Sequence, residues 1–364
     1  MAPQVKITSS VNDVLSFTLS GVNVSVANAV RRTMLSDINS IVFRTSPHEK
    51  SKATIYTNTT RLNNEIIKMR LSCIPIHIKD VDTFPIDKYR VEVNVENTTD
   101  MIMFVTTKDF VVIDKTTDKP VDSSEIFPMN DQTRHYIDFV RLRPKVSEEL
   151  PGEKIHMSCD LSIGNAKQDA AFNMVSTCAY GMTPDESAVE EALAKKRIEW
   201  KNEEKDVEFE TKNWRLLDGM RFYKQDSFDF KLQSVGVFTN EELVQKAVEV
   251  LNETLKGIDT LIDTDKMEIK PSQSTMKNSY DIILDNEDYT IGKTLEYYLY
   301  AKYYETKVLT YCGFKKMHPH DSYSIIRIAY ENPVDLMTIK GHLKECIRDA
   351  IKTFSAIGDE ITRK

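Results

Sequence analysis

Three groups of residues carry side chains able to do chemistry. His318-Pro-His320 sets two imidazoles one residue apart. With no adjoining Cys or third His to complete a zinc site, the pair reads better as a turn between two strands. Asp80, Asp82 and Asp87 in KDVDTFPID could gather round a cation, but an EF-hand loop needs a glycine at its sixth position and a closing glutamate, so a polar loop is favoured. The third group, Arg31 and Arg32 in SVANAVRRTML, is of another kind. At about 100° per residue, Ala27, Val30, Leu35 and Ile38 share one arc of a helix. Arg31 falls inside that arc, and Asn28 and Arg32 stand at its border. A guanidinium in an apolar stripe needs a partner. That partner is either a carboxylate of this chain or a carboxylate or carbonyl of another protein, which the bidentate fork of arginine suits.

Phosphate cradles, nucleophile elbows and zincin helices have no support, because none of their motifs occurs. A triad assembled only in space stays open. Cysteines 73, 159, 178, 312 and 346 form no C-x2-C pair and read as reduced, packed thiols. No cofactor and no metal are expected, and the chain reads as a scaffold rather than a catalyst. A stand-alone enzyme remains a rival that turnover by the isolated chain would reveal.

The elements that position these residues belong to a folded protein of more than one unit. At 364 residues, with 41% hydrophobic residues, 11 Gly and 12 Pro, the chain can bury two or three cores. A net charge of -8 argues against sequence-specific nucleic-acid binding by this chain alone. MAPQVKITSS has no apolar signal region and no apolar run is long enough to span a bilayer, so neither secretion nor a membrane partner is expected.

Val14 to Leu19 alternates as a strand, with Ser25 expected to cap a helix running to about Ile38. From 40 to about 180, short β-branched and aromatic runs such as YRVEVNVEN and KIHMSCDLSIG predict a mostly antiparallel unit. Charges lie nearly all round DESAVEEALAKKRIEWKNEEKD, which reads as a solvated helix or a mobile connection. FDFKLQSVGV is a strand, and Thr239 with Glu242 makes a capping box for a long helix. Its stripe is Leu243, Ala247, Val250, Leu251, Leu255 and Ile258. The last segment runs strand YDIIL, helix from Thr290, two strands, and a final helix started by Asn332 and Pro333. That helix buries Leu336, Ile339, Leu343, Cys346, Ala350, Phe354, Ile357 and Ile361 in steps of three and four.

Setting Ser25 over Thr290, a shift of 265 positions, aligns the two strand-turn-helix segments without a gap. Phe17 then meets Ile282, Ala27 meets Gly292, Val30 meets Leu295 and Met34 meets Leu299. Arg31 and Arg32 meet Glu296 and Tyr297. Two such copies can bury their helices against each other about a pseudo-twofold axis. The expected interface is Val30, Met34, Leu243, Ala247, Leu251, Leu295, Leu299, Leu343, Ile347 and Phe354. A pair closed within one chain predicts a monomer rather than a homo-oligomer. A self-associating adaptor or virion structural protein would instead assemble openly.

These residues resemble a known family. SVANAVRRTML is similar to the signature of the RNA polymerase alpha-type assembly subunits, which include the bacterial alpha amino-terminal domain and the third subunit of eukaryotic RNA polymerase II. RLNNEIIKMRLSCIPI, SIGNAKQDAAFNMVSTCAY and FDFKLQSVGVFTNEELVQKAVEVL follow in the family's order. From about 278 on, EDYTIGKTL resembles the small eleventh subunit. The chain therefore resembles third and eleventh subunits fused, an arrangement found in large nucleocytoplasmic DNA viruses.

The resemblance implies an α+β fold in which alpha-like assembly modules form an intramolecular pseudo-dimer. The modules would be 1–46 with 218–265, and 266–364, around a β-rich insert at 47–217. It further implies a non-catalytic subunit of a DNA-directed RNA polymerase, acting in the virion and the host cytoplasm, with the host nucleus left open. Asn28, Arg31, Arg32, Arg70 and Pro75 would dock large subunits. The implied partners are the second-largest and largest polymerase subunits and small adapters resembling the tenth and twelfth. Some third subunits hold zinc through a cysteine cluster; none occurs here, which supports the expectation of no metal. Gln168-Asp-Ala-Ala-Phe172 replaces the family's H-A-K-W loop, so contacts carried by that loop are not transferred.

Overall fold

A computed structural model describes residues 2–147, 149 and 151–363. The chain divides into two compact units. The first comprises Met1–Met34, Thr177–Gln233 and Asn240–Lys364, and the second Leu35–Ser176 and Ser234–Thr239.

The chain opens with β1 (Gln4–Val11), β2 (Val14–Ser20) and α1 (Val24–Ser36). Next come β3 (Ser40–Phe43), β4 (Ala53–Asn58), α2 (Asn64–Ser72), β5 (Tyr89–Glu96), β6 (Met103–Thr106), β7 (Val111–Asp114), β8 (Lys119–Val121), β9 (Asp138–Leu142) and β10 (Lys154–Gly164). After these run β11 (Val175–Pro184), α3 (Glu186–Asn202), α4 (Val207–Leu216), β12 (Tyr223–Ser234) and α5 (Asn240–Asp263). The chain ends with β13 (Ile269–Pro271), β14 (Ser279–Asp285), α6 (Tyr289–Leu299), β15 (Leu309–Lys315), β16 (Tyr323–Tyr330) and α7 (Leu336–Thr362). This mixture of helices and antiparallel sheets is an α+β fold.

The first unit holds two four-stranded sheets with the same path, β1-β2-β12-β11 and β13-β14-β16-β15. Alternation makes each sheet: Leu15, Phe17 and Leu19 are buried while Ser16, Thr18 and Ser20 are half-buried. Phe17 lies flat on Phe230 of the neighbouring strand, 4.9 Å between centroids. Register repeats as well, with Phe17 opposite Phe230 and Ile282 opposite Ile326. The second copy's β14 and the start of its α6 stand 265 positions after β2 and the start of α1.

The helix caps differ from the sequence expectation. Asn23 Oδ1, not Ser25, accepts the amide of Ser25 at 2.9 Å. Asp288 Oδ1, not Thr290, accepts the amide of Thr290 at 2.9 Å. Asn and Asp cap about as well as serine and better than threonine, and here it is Asn23 and Asp288 whose side chains reach the free amides of the first turn. The correction keeps the repeat, since Asp288 stands 265 positions after Asn23. The last helix begins at Leu336 with Asp335 as cap, accepting the amide of Thr338 at 2.9 Å, rather than at Asn332 and Pro333. The turn before α1 needs Gly21 at φ +74°, a conformation open to glycine without penalty. Gly292 is required for space: a Cβ there would lie 2.0 Å from the ring of Phe314 on β15.

The 185–206 segment is more than a solvated connection. Val189, Leu193 and Trp200 of α3 and Trp214 of α4 form a small core of their own, with Phe222 packed against it. The charges read from sequence do face outward, but two tryptophans supply enough apolar surface to hold a helix pair.

In the second unit the long strand β10 pairs with β5 on one edge and with β4 and then β3 on the other. Phe110 meets Phe127 and Phe139 edge-on, each at 5.3 Å, and Phe127 stacks on Phe43.

Two expectations follow. Trp214→Ala should release α3 and α4 as a local unit, seen as faster amide exchange over 186–216 with β12 and α5 still protected. Between β14 and β16, Arg327 donates to both carboxylate oxygens of Asp281 at 2.7 and 2.8 Å. These bonds hold the Asp281 carboxyl below the usual carboxylate range. A carboxyl lowered by folding stabilises above its unfolded pKa and loses that contribution as pH falls through the folded value. Asp281→Asn should therefore cost about 2 kcal/mol near neutrality and flatten the acid limb of a stability-against-pH curve.

Candidate functional site

The paired arginines of α1 take different directions. Arg31 reaches back one turn, donating Nε and Nη2 to Asn28 Oδ1 at 3.0 and 2.9 Å. Among the described residues no carboxylate lies within ion-pair distance of it. Arg32 reaches across to the second copy. Its Nε donates to Thr290 Oγ1 at 2.9 Å and its Nη2 to Asp288 Oδ2 at 2.7 Å. One carboxylate thus caps α6 with one oxygen and holds Arg32 with the other.

Around this ion pair α1 and α6 enclose a cleft of 570 Å³. Its walls are residues that the repeat places in register: Val24 with Tyr289, Asn28 with Lys293, Arg32 with Tyr297. Tyr289 and Tyr300 stand exposed along it. The Tyr and Arg content is that of protein-binding surfaces.

The long helices form the other half of this arrangement. α5 and α7 run antiparallel in contact: Val248 lies 3.3 Å from where a Cβ on Gly358 would stand, and Asn252 Nδ2 donates to Ser355 Oγ at 3.1 Å. Further along, Lys344 Nζ reaches Asp263 at 2.5 Å and Lys340 reaches Asp265. α6 joins α7 through Tyr298, whose hydroxyl donates to Thr353 Oγ1 at 2.7 Å. Burial pushes that phenol up to about 12.

All ten residues expected at an internal interface are buried: Val30, Met34, Leu243, Ala247, Leu251, Leu295, Leu299, Leu343, Ile347 and Phe354. Of the docking candidates, Asn28, Arg31 and Arg32 share α1, whereas Arg70 and Pro75 belong to the second unit. Arg70 braces β9 there, donating Nε to the carbonyl of Phe139 at 2.6 Å and Nη2 to that of Asp138 at 2.9 Å. Asp288 and Thr290 as partners of Arg32 escaped sequence reasoning. The only signal for them was the repeat itself, which sets Asp288 over a cap residue.

The other chemical candidates resolve into local structure. The amide of His320 donates to His318 Nδ1 at 3.1 Å in a turn, and Asp80 accepts from the amide of Thr83 at 3.3 Å. Burial pushes the Cys178 and Cys346 thiols up to about 12, well away from a reactive thiolate. Among the described residues no group of three or more His, Cys, Asp or Glu could hold a metal ion.

Faces of α1, α5, α6 and α7 are buried in the first unit, and the cleft between α1 and α6 carries Arg and Tyr side chains. The RNA polymerase Rpb3/Rpb11 dimerisation domain matches residues 16–255, and the chain belongs to that family. It is 24% identical over 285 residues to the human DNA-directed RNA polymerases I and III subunit RPAC1, covering 65% of this chain and 78% of the human protein. Identity is 24% over 302 residues to the DNA-directed RNA polymerases IV and V subunit 3B of Arabidopsis thaliana, covering 70% of this chain and 90% of that one. It reaches 32% over 97 residues to the Rpo3 polymerase subunit of Pyrococcus furiosus, covering 26% of this chain and 34% of that protein.

Ile347 is fully buried in the middle of α7. Ile347→Ala should cost about 2–4 kcal/mol, read from urea unfolding; a loss below about 0.5 kcal/mol would mean the helix contact is loose.

Proposed function

We propose that this chain is the assembly platform of a multisubunit DNA-directed RNA polymerase. Its two copies pair within one polypeptide as separate third and eleventh subunits would, and the outer side of α1 docks a large catalytic subunit. On this reading Arg31 is the centre of the docking face, with Asn28 and Arg32, the latter held against Asp288, at its edge, and Arg70 and Pro75 as a further contact from the second unit. The largest and second-largest subunits, and small adapters, are the partners. The active site belongs to those large subunits, and the fused form fits a viral enzyme.

The observation that carries the reading is the family match across 16–255 together with the state of Arg31. A half-buried guanidinium whose recorded partner is the amide oxygen of Asn28 is short of a carboxylate that a partner could bring. The second copy's identical sheet path and cap position support the pairing half of the proposal.

Affinity purification of the tagged chain from its native source, followed by mass spectrometry, is the test. Two very large polymerase subunits in equal amount are expected. Recovery of the chain alone, or with capsid proteins, would overturn the assembly role. Arg31→Ala should weaken large-subunit recovery by about 2 kcal/mol of affinity, the scale of an arginine hot spot, with the thermal midpoint of the isolated chain little changed.

A further inference from the structure

We infer that the Arg32–Asp288 ion pair is a specificity device that favours pairing of a first copy with a second copy over pairing of two like copies. The inference rests on the internal pairing proposed above and adds what selects it.

Each residue lining the cleft has a counterpart 265 positions away, so the like pairings can be written down by exchange. In the observed arrangement one corner of the cleft joins Arg32 to Asp288 and Thr290. The other corner brings Tyr297 into the same cleft as Val24 and Ser25. Two first copies would present Arg32 at both corners to Asn23 and Ser25. Those groups are neutral, and Asn23 Oδ1 already accepts the Ser25 amide at 2.9 Å. Two second copies would set Tyr297 against Asp288 at both corners, a carboxylate with no cation. Lys293 would stand on both walls, each already paired with Glu296 of its own helix at 2.5 Å, so it supplies no replacement for the lost Arg32.

Each like pairing therefore loses the ion pair. Specificity is the difference between competing pairings rather than the strength of one contact. The pair is about a third exposed, 34% at Arg32 and 29% at Asp288, so its absolute strength is modest. Its two-pronged geometry makes it directional, because the fork needs an acceptor pair set as Asp288 and Thr290 are.

The test uses the full chain as wild type, Arg32→Ala, Asp288→Asn and the double variant. Asn at 288 keeps the acceptor that caps α6 and removes only the charge. Every form also carries Asn252→Cys and Ser355→Cys, whose mild oxidation reports whether α5 and α7 of one chain lie together. Chains are unfolded in urea, refolded over a range of protein concentrations and separated by size.

The wild type should cross-link within the chain and return as monomer. Each single variant should raise the fraction of mispaired dimer by about two- to fivefold, and the double variant should do no more than the larger single. A double effect equal to the two singles combined, or a dimer fraction unchanged in every variant, would overturn the inference. Absence of the intramolecular cross-link in the wild type would overturn the underlying pairing instead. A normal cross-link with silent variants would leave that pairing intact and strip the ion pair of its role.

Discussion

The contact between α5 and α7 is the constraint from which the first unit is built. These helices have 24 and 27 residues, about 36 and 40 Å at 1.5 Å per residue. Each carries a buried stripe along nearly its whole length, Leu243 to Ile262 on one and Ile339 to Ile361 on the other. A single four-stranded sheet is too small to cover a stripe of that length. The two helices solve this by covering each other, and the antiparallel match of Val248 with Gly358 and Asn252 with Ser355 fixes their register. Lys340 and Lys344 on three aspartates of the α5 end add little energy at the surface. They do disfavour a slip by one turn, which would part them.

Placing α5 against α7 leaves the shorter helices α1 and α6 to meet across a cleft rather than a packed seam. Their starts come from the same kind of cap in both copies, so sheet path and helix starts match on the two sides while the side chains do not. Val24, Asn28 and Arg32 face Tyr289, Lys293 and Tyr297. A repeated backbone with unlike walls combines stability from the repeat with recognition from the differences.

Legibility in the sequence followed the range of the interactions. Stripes on α5 and α7, the alternation in β2 and the gap-free repeat are local patterns, and each is visible within a few turns. Cap positions slipped by two residues because Asn23 and Ser25, or Asp288 and Thr290, are both acceptable caps and only geometry decides between them. The α3–α4 core was easy to overlook because Val189, Leu193 and Trp200, within about 40° of one another on α3, are only three apolar residues among many charges, and Trp214 joins their cluster only after the chain turns back. Arg32 finding Asp288 across 256 residues of sequence had no local signal at all. The second unit, Leu35–Ser176, lies close to the β-rich stretch read from 40 to about 180, whereas its return at Ser234–Thr239 carries no mark in composition.

The adjacency of Arg31 and Arg32 follows from helix geometry. Neighbouring residues on a helix point about 100° apart, so two consecutive arginines can reach in different directions. If one looks across the cleft at the second copy, the other must look along or away from α1, as Arg31 does toward Asn28. A single arginine would have to choose between holding the copies together and meeting a partner. Two in succession let the same turn of helix face inward to the pair and outward from it. Any partner that grips Arg31 therefore meets a helix already fixed, one residue on, against the second copy, and finds its docking face ordered before it arrives.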